Sequence, residues 1–220
     1  MCKRYMRKLP VIVSVLALSL FTIQAKTNEP DVQPVKVSNT ISDVFNSIDF
    51  TGTDKLSYEV FAKAYTGYQH LKEANKLNTG KNILTVSDYS LSANKKRMWI
   101  IDLDSRKVLI NTYVAHGQGT GEEYAQHFSN REGSHQSSIG FYVTGDTYIG
   151  KHGNSLYLHG MDEGYNSAAY ERAIVVHGAG YVSSDFIAGT GRLGRSWGCP
   201  AVSNELADEV IETIKDGTCL

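Results

Sequence analysis

Cys199 stands in the stretch GRSWGCPAV (194–202), between Gly198 and Pro200. Its thiol could be a nucleophile, half of a disulfide or a small buried side chain. A thiol with its ordinary pKa of about 8.5 is only partly ionised, so a nucleophilic cysteine needs a neighbouring imidazole or an electropositive turn. A buried structural cysteine more often stands inside an apolar run than in a turn. From this stretch alone, a reactive thiol is as good an interpretation as the alternatives.

His177 is the histidine best placed to activate that thiol. It ends the run RAIVVHG, whose β-branched residues 174–176 predict a buried strand that would carry the imidazole on a rigid support. A Gly-rich loop then leaves enough chain to bring Cys199 back beside it. Four of the seven histidines precede a glycine, a residue that permits sharp turns: His116, His152, His159 and His177. One interpretation is that these histidines lie at strand ends that face a common mouth. For each of them the alternative is an imidazole that is hydrogen-bonded in a turn at the end of a strand.

Two other uses of these residues are disfavoured. A zinc site is not expected, because the chain has no HxH, HExxH or closely spaced Cys/His set; we predict neither a metal nor a cofactor. In an oxidising compartment Cys199 and Cys219 could pair as a disulfide. Cys219 is the second-last residue, and we expect the chain end to fray. A disulfide to Cys219 would therefore constrain the fold little.

The N-terminus predicts export. Residues 1–25 combine four basic side chains, an apolar run over 9–23 and a final Ala25, the layout of a secretory signal. The run is shorter than the ~20 residues of a membrane span, although an uncleaved anchor is the alternative. Of 22 Lys and Arg, 18 then remain against 23 Asp and Glu, a net charge of −5 that indicates no nucleic-acid partner. We expect a protein of the periplasm, cell envelope or exterior.

The rest of the chain divides into three segments. Residues 26–50 begin as a polar stretch with two prolines and predict a flexible leader. In the segment 51–79, apolar residues recur at helical spacing between 56 and 77, and Ser57 is the expected N-cap. This helix should pack on the domain that follows, over residues 80–217.

That domain shows short β-type runs separated by turn residues, so the predicted class is mainly β within an α+β fold. The two β-type runs on either side of residues 104–106 predict a β-hairpin. A terminal helix should follow Ser203 and stop at Gly217. The predicted strands are NILTVSDY (82–89), KRMWIIDL (96–103), KVLINTYVAHG (107–117), GFYVTGDTY (140–148), SLYLHG (155–160) and RAIVVHG (172–178).

The ordered pair HG (177–178) and SWGC (196–199) resembles the L,D-transpeptidase catalytic domain family (YkuD-like), in particular its murein L,D-transpeptidase branch. Further phrases that are similar to that branch are VAHGQGTG (114–121), FSNREGSHQSSIGFY (128–142), GKHGNSLYLHGMD (150–162) and RAIVVHGAGYVS (172–183). The resemblance covers roughly residues 80–216. It implies a β-sandwich with an N-terminal and a C-terminal helix.

The resemblance also implies a reaction and its partners, the stem peptides of peptidoglycan. Cys199 would attack a tetrapeptide donor and release D-Ala, and the thioester would pass to the diamino-acid amine of an acceptor stem or to water. His177 would be the general base, its other nitrogen bonded to the carbonyl of Ser196. Acylation by carbapenems would follow. Because Pro200 has no N–H, the oxyanion would be bound by the amides of Cys199, Gly198 and Trp197.

One position departs from the family's usual S/T-H-G-C, since Trp197 replaces the histidine. Trp197 could form a wall of the substrate groove or be buried in the core. His159 and His116 are further candidates for substrate binding. Arg195 and Arg192 could receive stem carboxylates. Two alternatives stay open: an L,D-carboxypeptidase or peptidoglycan hydrolase with the same Cys-His site, and a non-catalytic cell-wall binding domain.

Overall fold

The structure is a computed structural model that describes residues 40–220. The predicted signal segment, residues 1–25, lies outside the described residues, as does the leader up to residue 39. Between Thr40 and Leu220 no helix combines the length and apolarity that crossing a bilayer requires.

The last part of the predicted leader is helical. Helix α1 (Ile41–Asn46) starts with a capping box, in which the Thr40 hydroxyl accepts from the N–H of Asp43 at 3.1 Å and the Asp43 carboxylate accepts from the N–H of Thr40 at 3.0 Å. Phe45 is buried and its ring lies 5.3 Å from that of Phe61. Residues 40–50 therefore belong to the packed domain, contrary to the prediction.

Helix α2 (Tyr58–Glu73) presents one apolar stripe to the domain. The Ser57 hydroxyl accepts from the N–H of Val60 at 3.3 Å and satisfies one of the free donors of the first turn. Phe61 and Tyr68 are buried in a cluster with Leu84 and Trp99. The stripe thus covers one face of the sheet that follows.

The strands form two groups. The first three make an antiparallel sheet in the order β1-β2-β3, and the last four are ordered β4-β5-β6-β7, with only β6 and β7 parallel. Turn residues 103–106 join β2 to β3, which confirms the predicted hairpin. The elements are β1 (Ile83–Ser87), β2 (Met98–Asp102), β3 (Lys107–Thr112), β4 (Tyr142–Gly150), β5 (Gly153–Gly160), β6 (Val175–Gly178), α3 (Ser184–Thr190), β7 (Ala201–Val202) and α4 (Asn204–Ile214).

The C-terminal residues link the two sheets. Cys219 forms bridges to Leu84 in β1 and to Val143 in β4, and it is fully buried. Because of this burial the pKa of its thiol rises to about 12. The expected fraying was therefore wrong. Cys199 and Cys219 are both free thiols, so the structure contains no disulfide between them.

Helix α4 closes the core beneath the second sheet. Val210, Ile211 and Ile214 are fully buried with side chains from both sheets, among them Met98 of β2 and Leu156 of β5. Its N-cap is Ser203, whose side chain makes no capping hydrogen bond. Mixed helices and sheets around a shared core confirm the α+β class.

Candidate active site

Parallel pairing of β6 with β7 places Cys199 beside the strand that carries His177. His177 is paired with Ala201. Cys199, two positions before Ala201, therefore lies next to Val175, two positions before His177. Accordingly the N–H of Val175 lies 3.5 Å from the Sγ of Cys199. Cys199 and His177 both line a cavity of about 680 Å³. The predicted thiol and imidazole are thus brought to one cavity wall.

His177 is held as a neutral base. Its ring is buried, and its Nδ1 donates to the main-chain carbonyl of Gly178 at 2.8 Å, which leaves the lone pair on Nε2. Burial lowers the pKa of His177, and the neighbouring His152 and Lys151 lower it further. A neutral imidazole with one free lone pair is the form that can accept a proton.

The carbonyl partner of His177 differs from the expected one. The carbonyl of Ser196 accepts instead from the N–H of Gln118 at 2.8 Å. That bond ties the SWGC turn to the chain after β3, while Gly178 follows His177 directly and its carbonyl is within reach of the ring. The tautomer is therefore fixed within β6 itself.

Cys199 rests as a neutral thiol. Its Sγ lies 3.7 Å from the carbonyl of Ala173, which can accept the S–H, and it makes no hydrogen bond to His177 within the described chain. Burial raises the pKa of this thiol above its ordinary value, although the N–H of Val175 and the charges of Arg172 and Lys151 oppose the rise. The resting pair is a thiol and an imidazole, not a thiolate and an imidazolium.

Ser196 and Gly198 shape the turn that presents the thiol. The Ser196 hydroxyl accepts from the N–H of Gly198 at 3.0 Å and donates to the carbonyl of Cys199 at 2.6 Å. Gly198 has a φ of +125°, and a Cβ there would lie 2.8 Å from the carbonyl oxygen of Gln136, so only glycine fits. Since the N–H of Gly198 is already bonded, the amides of Trp197 and Cys199 are the turn's free donors within the described residues.

Trp197 and Arg195 lie at the rim of the cavity. Trp197 is 64% exposed, which excludes the core position considered from the sequence. Its ring stacks on His135 at 5.0 Å, and the Lys151 ammonium lies 5.3 Å from its centroid. Arg195 bonds Glu122 at 2.8 Å and the carbonyl of Gly121 at 3.0 Å.

Arg192 reaches the other carboxylate oxygen of Glu122 at 2.9 Å. Glu122 thus pairs both arginines that were candidates for binding stem carboxylates.

The other two candidate histidines lie elsewhere. His116 is fully buried, where its Nδ1 accepts from Arg97 at 2.7 Å and its Nε2 donates to the carbonyl of Gly121 at 3.2 Å. Burial and the Arg97 charge lower the pKa of His116 to about 4. His159 is exposed, stacks on Tyr170 at 5.0 Å and does not line the cavity. Neither histidine lines the cavity, so neither is placed to contact a group bound at Cys199.

Sequence reasoning did not select Arg172 or Lys151 of the cavity, and it noted His152 only as one of the four histidines that precede a glycine. Arg172 donates at 2.6 Å to the carbonyl of Ser129 and at 2.7 Å to that of Gln136, so it anchors the loop over 129–138. The phrases that contain these residues were visible, but a single sequence does not tell which side chains face a cavity.

The lining of the cavity is cationic. Lys151, Arg172 and Arg195 face it, and none of the described residues that line it is an Asp or Glu. An anionic substrate would therefore be attracted, and a protonated imidazole would be disfavoured. Among residues 40–220 no three His, Cys, Asp or Glu side chains lie close enough together to hold a metal ion.

The family model described as the L,D-transpeptidase catalytic domain matches residues 52–220, and thus most of the chain. No curated protein matches the chain. The matched segment contains both β-sheets, the cavity and the two residues His177 and Cys199.

Proposed function

Because the chain belongs to the L,D-transpeptidase catalytic domain family, we propose that it is a cysteine-dependent acyltransferase that forms 3,3 cross-links between peptidoglycan stem peptides. The observation that carries this proposal is the position of Cys199 and His177 on one cavity wall, held by the β6 and β7 pairing. A nucleophile and a base carried by rigid strands are the parts that acyl transfer needs.

The first half-reaction acylates Cys199. As its sulfur attacks the carbonyl of the third stem residue, the thiol proton moves to Nε2 of His177. The amides of Cys199 and Trp197 then donate to the oxyanion, because the N–H of Gly198 is bonded to Ser196. Collapse breaks the bond to D-Ala, and His177 returns the proton to the leaving amine. A thioester remains on Cys199.

The second half-reaction transfers the acyl group. The side-chain amine of an acceptor stem attacks the thioester, gives a proton to His177, and the released thiolate of Cys199 takes that proton back. Water in place of the amine would give the L,D-carboxypeptidase reaction. Burial lowers the pKa of His177 and raises that of Cys199, so the pair starts as a neutral imidazole and a neutral thiol.

The charge of the cavity and the predicted signal segment support the same substrate. Stem peptides carry free carboxylates, and Lys151 and Arg172 place positive charge in the cavity. Residues 1–25 would carry the protein across the membrane to the wall, in the periplasm or outside. We further infer that the two sheets form the β-sandwich of the family, since β2 and β5 share one core.

The proposal is tested by product analysis. The purified protein and its Cys199→Ala variant are incubated with tetrapeptide muropeptides, and the products are weighed. Wild type should give dimers lighter than two substrates by one alanine, and the variant none. Monomers that lack D-Ala would instead identify a hydrolase. Identical product spectra for both proteins would refute the assignment and favour a non-catalytic wall-binding domain.

Carbapenems offer a second probe of the same thiol. A carbapenem should add covalently to wild type and not to Cys199→Ala, because the β-lactam carbonyl would acylate the sulfur. Intact mass measures the addition. No adduct on wild type would count against an accessible nucleophile at this position.

A further inference from the structure

The hairpin between β4 and β5 brings a second imidazole onto the base. Its tip is the dipeptide Lys151-His152, closed by the pairing of Gly150 with Gly153. Both tip residues line the cavity. The ring of His152 stacks on that of His177, with centroids 4.3 Å apart and planes inclined by 23°.

The stack covers one face of the His177 ring. The only hydrogen bond of this ring within the described chain runs from Nδ1 to the carbonyl of Gly178, and a single bond leaves the ring free to tilt about that axis. The core side of β6 is packed by Val176, whereas Val175 lines the cavity on the same side of the strand as His177. On the cavity side, the ring of His152 closes the contact.

We propose that His152 is a positioning residue: its ring, stacked on His177, holds the base in the plane that faces the cavity and keeps water off that face. The chemical consequence for the reaction rests on the proposed function, in which His177 moves the thiol proton. Catalytic groups need such support, because a displacement of about 1 Å can reduce a rate by about a hundredfold.

The stack also bears on protonation. Two imidazoles at this distance disfavour double protonation, as do the other cations of the wall, so His177 stays neutral. The Gly178 carbonyl acts in the opposite direction. The titratable and charged groups that line the cavity with His177 are Tyr148, Lys151, His152, Arg172, Tyr181, Arg195 and Cys199. Asp208 of α4 lines a second cavity, which shares Lys151 and His152 and includes Gly178.

Two substitutions separate stacking from titration. His152→Ala removes the ring, whereas His152→Phe keeps a flat ring without nitrogens. We expect His152→Ala to lower kcat for acylation about tenfold with KM within about twofold, and His152→Phe to stay within about twofold of wild type. The matched control is His159→Ala, which removes another exposed imidazole stacked on a ring, that of Tyr170, outside the cavity.

The pH profile reports a role through His177. Loss of burial and of the neighbouring imidazole should let the pKa of His177 rise in His152→Ala, so the acid limb of kcat/KM moves to higher pH. A smaller move is expected for His152→Phe and none for His159→Ala. The proposal would be overturned if His152→Ala had the same activity as wild type and the same acid limb in its pH profile of kcat/KM. So would a loss in His152→Phe as large as in His152→Ala, because stacking would then not be the cause.

A readout without substrate keeps the two proposals apart. Long-range nitrogen–proton spectra of the imidazoles give the tautomer and pKa of His177 directly. Both proteins should show the Nδ1–H form, because the Gly178 carbonyl fixes it, and His152→Ala should show a raised pKa of His177. Unchanged spectra would overturn the role of His152. Failure of wild type to acylate would overturn the proposed function while leaving this test in force.

Discussion

Gly178→Ala should damage the site through one methyl group. The carbonyl of Gly178 accepts from Nδ1 of His177, and β6 packs here directly on α4. A Cβ at position 178 would lie 2.9 Å from the Cβ of Ala207 and 2.9 Å from the Oδ1 of Asn204. The amide end of Asn204 can rotate away, whereas Ala207 is fixed by its helix, so β6 has to move.

The size of the effect follows from that contact. Ordinary carbon contacts begin near 3.5 Å, so strand and helix must separate by about half an ångström. Overpacking of this kind costs about 1–3 kcal/mol, which lowers the Tm of a domain of this size by about 2–12 °C. Displacement of the carbonyl tilts His177, and we expect the acylation rate to fall about tenfold.

Two further variants isolate the cause. Gly180→Ala is the control, because its Cβ would meet only the Nδ2 of Asn204, at 3.7 Å. The double variant Gly178→Ala/Ala207→Gly removes the obstructing methyl group and should recover the acylation rate, although glycine within α4 costs about 1 kcal/mol of stability. Melting curves and acylation rates are measured for each. If Gly178→Ala acylates as fast as Gly180→Ala, the close packing of β6 on α4 does not position the base.

Three other predictions concern burial. In the folded protein without residues 1–25, iodoacetamide should modify Cys199 and not Cys219, because Cys219 is fully buried. The reaction should accelerate as pH rises above 7, because the pKa of the Cys199 thiol is raised. Labelling of Cys219 before unfolding would contradict this. The pKa of His116 is about 4 in the folded protein, below its unfolded value of about 6.5. The contribution of His116 to stability is therefore complete above pH 6.5, and about 3 kcal/mol is lost as pH falls to 4. His116→Gln should flatten the dependence of Tm on pH, and an unchanged slope would refute the assignment. In Arg172→Met, the carbonyls of Ser129 and Gln136 lose a charged donor. The free energy of unfolding should therefore fall by about 3 kcal/mol, and amide hydrogen exchange over residues 129–138 should become faster. Unchanged exchange there would show that Arg172 does not anchor the loop.

Local patterns predicted much of the fold. The hairpin at 104–106 and the buried strand before His177 could be predicted because β-branched runs and polar turns act over a few residues. Helix α1 was not predicted, because its six residues are too few to show a helical period of apolar side chains. The position of Cys219 escaped because it depends on pairing with strands more than 70 residues away in sequence.

The candidate site divides in the same way. The choice of Cys199 and His177 as candidates rests on residue type and order, and their shared cavity follows from the β6 and β7 register. His116 was a weaker prediction because its buried partner, Arg97, is a contact across strands that spacing does not reveal. His152 had the same His-Gly signature as His177, but only the folded hairpin brings its ring onto the base.

The central claim is that Cys199 forms a thioester with a stem peptide. The most direct measurement is the intact mass of the purified protein after brief mixing with a tetrapeptide stem, followed by peptide mapping. We predict a gain equal to the stem less D-Ala, located on Cys199 and absent from Cys199→Ala. A mass that does not change, or an adduct on another residue, would contradict the account.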